Sequence, residues 1–237
     1  MEKNSINRFV QKYNLAGLIE SVKWDVEGTT LSTSFISDDK SVLGTITTTD
    51  FDFEKGSYGV YDTTKFTKML SVLENDINLS TTKVEGKTVS LNISDKATSA
   101  NYMLADLSVI PVVPDLKQLP NFNVDISIDS SFITRFNKAK GALADEKNFI
   151  FECKGGKGQI IIGHSNINTN RISIDVDCKC DGDVEPISFS ADFLKEILNA
   201  NRDAKTASLK ISTDGLAHLH FNVDSYTSDY YLVQIQS

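Results

Sequence analysis

The sequence is short of cysteine and of long hydrophobic runs, and each shortage excludes a class of protein. Three cysteines, an odd number, do not build a disulfide framework and fit a reducing compartment. No apolar run approaches the roughly 20 residues that span a bilayer, and no secretory signal follows the polar start Met1–Phe9. We therefore expect a cytoplasmic protein without a membrane partner, in the host cytoplasm if the chain is viral.

Positive charge is also in short supply. The 237 residues contain 24 Lys and Arg against 32 Asp and Glu, which gives a net charge of −8. Such a chain does not bind nucleic acid or anionic membrane over its whole surface, although a local basic patch is allowed. The hydrophobic and charged fractions, 40% and 24%, are those of a globular protein.

An internal repeat is present in the sequence. The segment Val60–Leu107 resembles Ile187–Ile235, with Phe66 answering Phe193 and Tyr102 answering Tyr230. Each segment has the apolar spacing of a helix followed by alternating strands, and the regions before them match more loosely. Four helices are predicted, and they are Ser5–Leu15, Thr63–Leu73, Ser130–Ala142 and Ser190–Arg202. The long strand-like runs are Ser21–Ser37, Gly44–Asp52, Asn148–His164 and Arg171–Asp177.

The repeat predicts an α+β fold with two similar domains per chain. We expect an N-terminal domain at residues 1–106, a connector at 107–123 and a C-terminal domain at 124–237. The connector holds three of the four prolines, which resist helix and central strand. It is unusually apolar, so it either packs on the body of the protein or lines a groove for a partner.

The predicted helices reverse the sign of the chain, because they carry nine basic side chains and only two acidic ones, Asp192 and Glu196. Most of the basic residues avoid the apolar stripe and share one side of their helix. A positive surface of this kind suits the phosphates of duplex DNA without reading base sequence. The predicted DNA-facing residues are Arg8, Lys12, Lys65, Lys68, Arg135, Lys138, Lys140, Lys195 and Arg202.

Two stretches resemble DNA sliding clamps, the processivity factors of replication. Phe51–Ser80, FDFEKGSYGVYDTTKFTKMLSVLENDINLS, is similar to the second-helix region of the clamp of T-even-type tailed phages. Ser228–Gln236, SDYYLVQIQ, resembles the last strand of proliferating cell nuclear antigen. With the repeat, the four helices and the apolar connector, the likeness extends over nearly the whole chain.

The resemblance implies a ring of clamp-type domains, with helices lining the hole and β-sheets outside. Two repeats per chain imply a homotrimer that encircles duplex DNA and tethers the replicative DNA polymerase for processive synthesis. An ATP-dependent clamp loader is expected to open and close the ring. In T-even-type phages the clamp also supports late transcription, and the sequence leaves that role open here.

The resemblance also implies that partners insert a short apolar peptide beside the connector. The pocket would be built from the connector, from the loop near residue 42 and from the last strand. The residues implied are Val42, Leu43, Ile110, Val112, Val113, Tyr231 and Val233.

No residue pattern indicates an enzyme, a cofactor or a metal. The glycine-rich stretch Gly155–Gly158 lacks the Lys-Ser/Thr ending of a phosphate-binding loop and fits a hairpin turn. Cys178 and Cys180, with Cys153, lack zinc-site spacing. His218 and His220 share one face of a strand and would need further ligands to hold a metal.

Two other functions remain open at this point. One is a duplicated β-rich phage structural or adhesion protein without a DNA function. The other is an enzyme accessory subunit that binds only protein. The first gives no reason for helices that are poor in carboxylates in an acidic chain.

Overall fold

The structure, a computed structural model, describes residues 1–116, 118–163, 170–205 and 207–236. Its contacts divide the chain into two compact units. Unit one comprises Met1–Ser37, Gly44–Val113 and Asp224–Thr227. Unit two comprises Asp38–Leu43, Pro114–Val223 and Ser228–Ser237. The sequence-based boundaries at 106 and 124 stay predictions, and the contact-based division falls inside the predicted connector.

Unit one follows the predicted order of helix, strands, helix and strands. Its helices are α1 (Lys3–Asn14) and α2 (Thr63–Ser71). Its strands are β1 (Val22–Glu27), β2 (Thr30–Ile36), β3 (Val42–Thr48), β4 (Gly56–Val60), β5 (Asn78–Val84), β6 (Lys87–Ser94) and β7 (Ser99–Met103). They hydrogen-bond in the orders β3-β2-β1-β4 and β5-β6-β7. The first two residues of β3 belong to unit two.

Unit two repeats this plan after an additional first strand. Its helices are α3 (Ser130–Ala142) and α4 (Ala191–Ala200). Its strands are β8 (Val124–Ile128), β9 (Asn148–Lys154), β10 (Lys157–Ile162), β11 (Ile172–Val176), β12 (Cys178–Cys180), β13 (Val184–Ser190), β14 (Ala207–Ser212), β15 (Leu216–Val223) and β16 (Tyr226–Val233). The orders are β12-β8-β14-β15-β16 and β11-β10-β9-β13. The predicted α+β fold class is confirmed.

Turns divide two of the long predicted strand runs. Ser21–Ser37 becomes β1 and β2 because the chain reverses near Gly28, whose φ of 60° is easily adopted only without a Cβ. The run from Asn148 likewise divides at Gly155–Gly156, where both φ angles are positive. The hairpin prediction for this glycine-rich stretch is therefore confirmed. The predicted end of that run, His164, lies outside the described residues.

Each unit has an aromatic core between its helices and its strands. In unit one, the Trp24 ring of β1 lies 5.7 Å from Phe9 of α1 and 5.3 Å from Phe66 of α2. In unit two, Phe149 of β9 lies 5.8 Å from Phe136 of α3. Burying a large apolar side chain contributes about 1.5–3 kcal/mol. These contacts hold α1, α2 and α3 by their apolar stripes.

Among the described residues, no helix has both the length and the apolar character needed to cross a bilayer.

Candidate nucleic-acid interface and partner surface

Helix α2 presents two exposed lysines and no carboxylate. The side chain of Asp62 caps its start by accepting a hydrogen bond from the Lys65 backbone N–H at 2.8 Å. Phe66 and Leu70 are fully buried, so the helix is held by that stripe. Lys65 and Lys68 are exposed, as the sequence predicts. Their ammonium groups are therefore available to an anionic ligand.

Helix α1 differs from the prediction, because its two basic residues interact within unit one. Arg8 forms an ion pair with Asp224 at 2.7 Å and lies 5.0 Å from the centre of the Tyr226 ring. Lys12 is only 3% exposed, and its Nζ lies 5.5 Å from the same ring. The negative face of an aromatic ring attracts both cations. Lys12 is therefore not an exposed DNA-facing residue in this structure, and Arg8 is partly neutralised.

Helix α3 carries the second exposed basic pair, Arg135 and Lys138. Asp129 caps this helix by accepting from the Phe132 backbone N–H at 2.7 Å. The two basic side chains line a groove of about 460 Å³ between α3 and β11. Asp175 of β11 also lines the groove and accepts a hydrogen bond from the Gln159 amide at 2.7 Å. The pair on α3 thus has a carboxylate neighbour that the helix sequence does not reveal.

Lys140, predicted to face DNA, is instead buried in unit two at 4% exposure. Its Nζ donates to the Ala144 carbonyl at 2.7 Å and pairs with Asp192 of α4 at 2.9 Å. The residue falls four positions after Phe136, on the apolar stripe rather than the polar face. That spacing is the signal by which sequence reasoning could have assigned it a structural role. The ion pair with Lys140 also accounts for Asp192, one of the two acidic residues on the predicted helices.

Helix α4 contributes less positive surface than predicted. The Lys195 ammonium lies 3.1 Å from Glu196 of the same helix. Arg202 is exposed but lies two residues beyond the end of α4, in a turn. The predicted DNA-facing residues that the structure leaves exposed are Lys65, Lys68, Arg135, Lys138 and Arg202.

The residues predicted for the partner pocket differ widely in exposure. Val42, Leu43 and Ile110 are buried at 0%, 7% and 6% exposure, so they offer little surface to a peptide. Val112 is 90% exposed. The remaining three have intermediate burial, and they are Val113, Tyr231 and Val233.

Sequence reasoning missed an aromatic stack in unit two. The Tyr231 ring lies parallel to the His218 ring, with centroids 4.6 Å apart and an interplanar angle of 9°. Phe122 covers His218 from the connector side at 5.9 Å. Tyr231 was predicted for partner binding, but its contact with a histidine from the neighbouring strand depends on strand pairing that the sequence does not show.

The three cysteines come together in unit two despite their unfavourable spacing. The sulfur atoms of Cys153, Cys178 and Cys180 lie within 4.8 Å of one another. Burial raises the pKa of the Cys178 and Cys180 thiols, which favours the protonated form over the metal-binding thiolate. The cluster lies where β9 meets the short strand β12.

Comparisons with known proteins show the fold. No family model matches the sequence, and no curated protein matches it. The structure is similar to proliferating cellular nuclear antigen from Entamoeba histolytica, with a TM-score of 0.73 and 17% identity over 99% of this chain and 96% of that chain. It is also similar to the PCNA2–PCNA3 complex from Sulfolobus tokodaii, with a TM-score of 0.72 and 12% identity over 99% of this chain and 97% of that chain. The chain therefore has the α+β fold of the proliferating cell nuclear antigen clamps.

Proposed function

We propose that the chain is the subunit of a DNA sliding clamp, a non-enzymatic ring that encircles duplex DNA and tethers the replicative DNA polymerase. The observation that carries this proposal is the exposed basic pairs on two helices without any carboxylate of their own. These pairs, Lys65 with Lys68 and Arg135 with Lys138, belong to a chain with a net charge of −8. The clamp fold and the resemblance of Phe51–Ser80 to phage clamps support the same assignment.

The charges suit contacts that hold DNA without fixing its position. Lysine and arginine side chains are long and reach phosphates at regular spacing along the duplex, independent of base sequence. Each contact is weak and salt-screened, so a ring can move along the helix axis while staying around it. The acidic remainder of the surface repels DNA from other positions.

A homotrimer is the assembly we propose, on the basis of two domain repeats per chain. Among the strands that the structure describes, β5 and β7 are the edges of one sheet, and β11 and β13 are the edges of another. Edge strands expose unpaired backbone groups that invite pairing with another chain. Pairing of an edge of one copy with an edge of the next would close the ring and leave fewer edges open.

The partner surface we propose is apolar and lies on the connector. Val109 and Val112, three residues apart in the sequence, are 68% and 90% exposed, which is unusual for valines in a folded chain. A short apolar peptide of the polymerase or of an ATP-dependent clamp loader would cover them. A phage origin and a role in late transcription rest on the sequence resemblance alone.

Primer extension on a long, singly primed circular template tests the proposal. With the cognate polymerase, loader and ATP, we expect longer products when the protein is added. A linear template is the matched control, because a ring slides off its ends and the gain in product length should be largely lost. Unchanged product length on the circular template would contradict the clamp assignment. It would favour the alternative of a structural or adhesion protein, which has no DNA function.

A further inference from the structure

Three side chains of metal-ligand type converge in unit two. His218 and His220 are two residues apart on β15, so their side chains share one face of the sheet. Asp229 lies on the neighbouring strand β16. Its Oδ1 is 2.8 Å from His218 Nε2 and 2.8 Å from His220 Nδ1. The sequence shows only the histidine pair, and the third group appears when β15 and β16 form their hairpin.

We propose that His218, His220 and Asp229 form a binding site for a divalent late transition-metal ion, with Zn²⁺ as the expected occupant. The three donor atoms lie within 4.8 Å of one another, close enough to be joined by one ion. Zinc binds imidazole nitrogen and carboxylate oxygen at about 2.0–2.2 Å, so tetrahedral ligands lie about 3.3 Å apart. The two Asp229–histidine distances of 2.8 Å would therefore have to open by about half an ångström, and the two histidine nitrogens, now within 4.8 Å of each other, would have to reach the same separation.

Proton placement in the two rings permits this exchange without a change in their charge. In the metal-free protein, each neutral ring can donate to Asp229 from the nitrogen that faces it. A zinc ion would need both of these nitrogens without protons, so the rings would then carry their protons on His218 Nδ1 and His220 Nε2. The Asn222 amide nitrogen lies 2.9 Å from His220 Nε2, so the amide would have to turn over for its oxygen to accept a proton from this ring nitrogen.

The surroundings orient the ligands and leave coordination positions open. The rings of Tyr231 and Phe122 pack against the His218 ring and restrict its orientation. The His218, His220 and Asp229 side chains are 16%, 39% and 30% exposed, so water or a partner's carboxylate can reach the ion. Three protein ligands plus an open position is the arrangement of accessible rather than purely structural zinc sites.

The donor set selects among cations. Magnesium and calcium require several oxygen ligands, and this cluster supplies one carboxylate. Lys210 faces His218 in the strand register and is itself faced by Asp125, so its charge has a carboxylate neighbour. The thiol cluster at residues 153, 178 and 180 is the competing site.

Isothermal titration of the chelator-treated, desalted full-length chain with ZnCl₂ tests the site. We expect one zinc per chain at this site, with affinity at least about tenfold lower in His220→Gln and in Asp229→Asn. Cys180→Ser is the matched control and should bind as the unaltered chain does. His220 is the most exposed of the three ligands, and a metal-free melting temperature close to that of the unaltered chain would show that His220→Gln folds.

Cobalt(II) gives a second readout that separates the two sites. Imidazole and carboxylate ligation produces weak visible bands, whereas thiolate ligation adds an intense near-ultraviolet band. The thiolate band, together with loss of metal binding in Cys180→Ser, would overturn the proposal. Unchanged zinc binding in both His220→Gln and Asp229→Asn would also overturn it, as would the absence of any zinc binding. The zinc site does not depend on the clamp function. A negative zinc titration would leave the clamp proposal intact, and a negative primer-extension result would leave the zinc site intact.

Discussion

Lys140 shows how a single charged residue can serve the fold rather than a ligand. We expect Lys140→Ala to lower the free energy of unfolding by about 1–3 kcal/mol, because the Ala144 carbonyl and Asp192 lose their partner. The buried stem of the lysine also loses its packing. Urea denaturation measures the change. Lys138→Ala, on the exposed side of the same helix, is the control and should stay within about 0.5 kcal/mol. Equal stability of the two variants would contradict the assignment.

Tyr102 makes the stability of unit one depend on pH in alkaline solution. Burial raises its pKa from 10.0 to about 12, against a hydrogen bond donated by the Asp62 backbone N–H that favours the charged form. Because the folded-state pKa lies above the unfolded value, the stabilisation is complete below pH 10 and is lost as the pH rises through 12. We expect the free energy of unfolding to fall over that interval.

The Tyr102→Phe variant isolates this contribution from those of other buried tyrosines. It should be less stable at pH 7, because phenylalanine lacks the hydroxyl that forms hydrogen bonds of 3.1 and 3.2 Å with the backbone of Asp62. Its stability should fall less steeply between pH 10 and 12 in urea titrations at stepped pH. Parallel curves for the two proteins would show that Tyr102 does not titrate differently in the folded state.

At the scale of residues, the sequence predicted exposure well where the polar face was clear. Lys65, Lys68, Arg135 and Lys138 are exposed as expected. Lys12 was not predictable, because the ring that it approaches, Tyr226, comes from the far end of the chain. The ligand Asp229 was missed for the same reason, since its meeting with two histidines depends on strand pairing.

At the scale of elements, helices were easier to predict than strand ends. The apolar period and the Asp129 cap fix α3 at Ser130–Ala142, the predicted bounds. The helix predicted at Ser190–Arg202 begins one residue later, because the Ser190 hydroxyl acts as a cap and accepts from Phe193 at 3.3 Å. Alternation continues across a tight turn, so the sequence pattern did not separate β1 from β2.

The charge of α2 and α3 supports a prediction at this scale. We expect a variant with Glu at positions 65, 68, 135 and 138 to load onto nicked circular DNA at least about tenfold less well, since phosphate contacts become repulsions. Loading is measured as protein retained with the circle after gel filtration in the presence of loader and ATP.

A matched variant controls for net charge. It has Glu in place of four exposed lysines outside the helices, Lys87, Lys96, Lys157 and Lys205. Both variants have two substitutions in each unit and change the net charge equally. If the two load equally well, the basic pairs on the helices are not the surface that meets DNA.

At the scale of the whole molecule, the proposed ring predicts a concentration-dependent mass. Gel filtration with light scattering should give three times the chain mass of 26.2 kDa at micromolar concentration, with dissociation on dilution. Closed symmetric assembly explains a single defined stoichiometry. A monomer throughout the micromolar range would count against the homotrimer, and larger open-ended species would indicate strand-edge association without closure.

The repeat in the sequence predicted two units, but it did not predict which short segments of the chain belong to each unit. In the part of the chain that the structure describes, each unit contains two α-helices and two sets of hydrogen-bonded strands, as the repeated pattern predicts. Asp224–Thr227 belongs to unit one, and Asp38–Leu43 belongs to unit two. Such short segments gain their contacts far from their sequence neighbours, so no local pattern could assign them.

The position of Trp24 gives this protein a built-in optical reporter. It is the one tryptophan in the sequence, it is 1% exposed, and its rings pack among aromatic side chains of unit one. Its emission therefore follows melting of the N-terminal core, whereas far-ultraviolet circular dichroism averages the backbone of both cores. Comparing the two signals distinguishes a chain that melts in one cooperative step from one whose halves come apart in sequence.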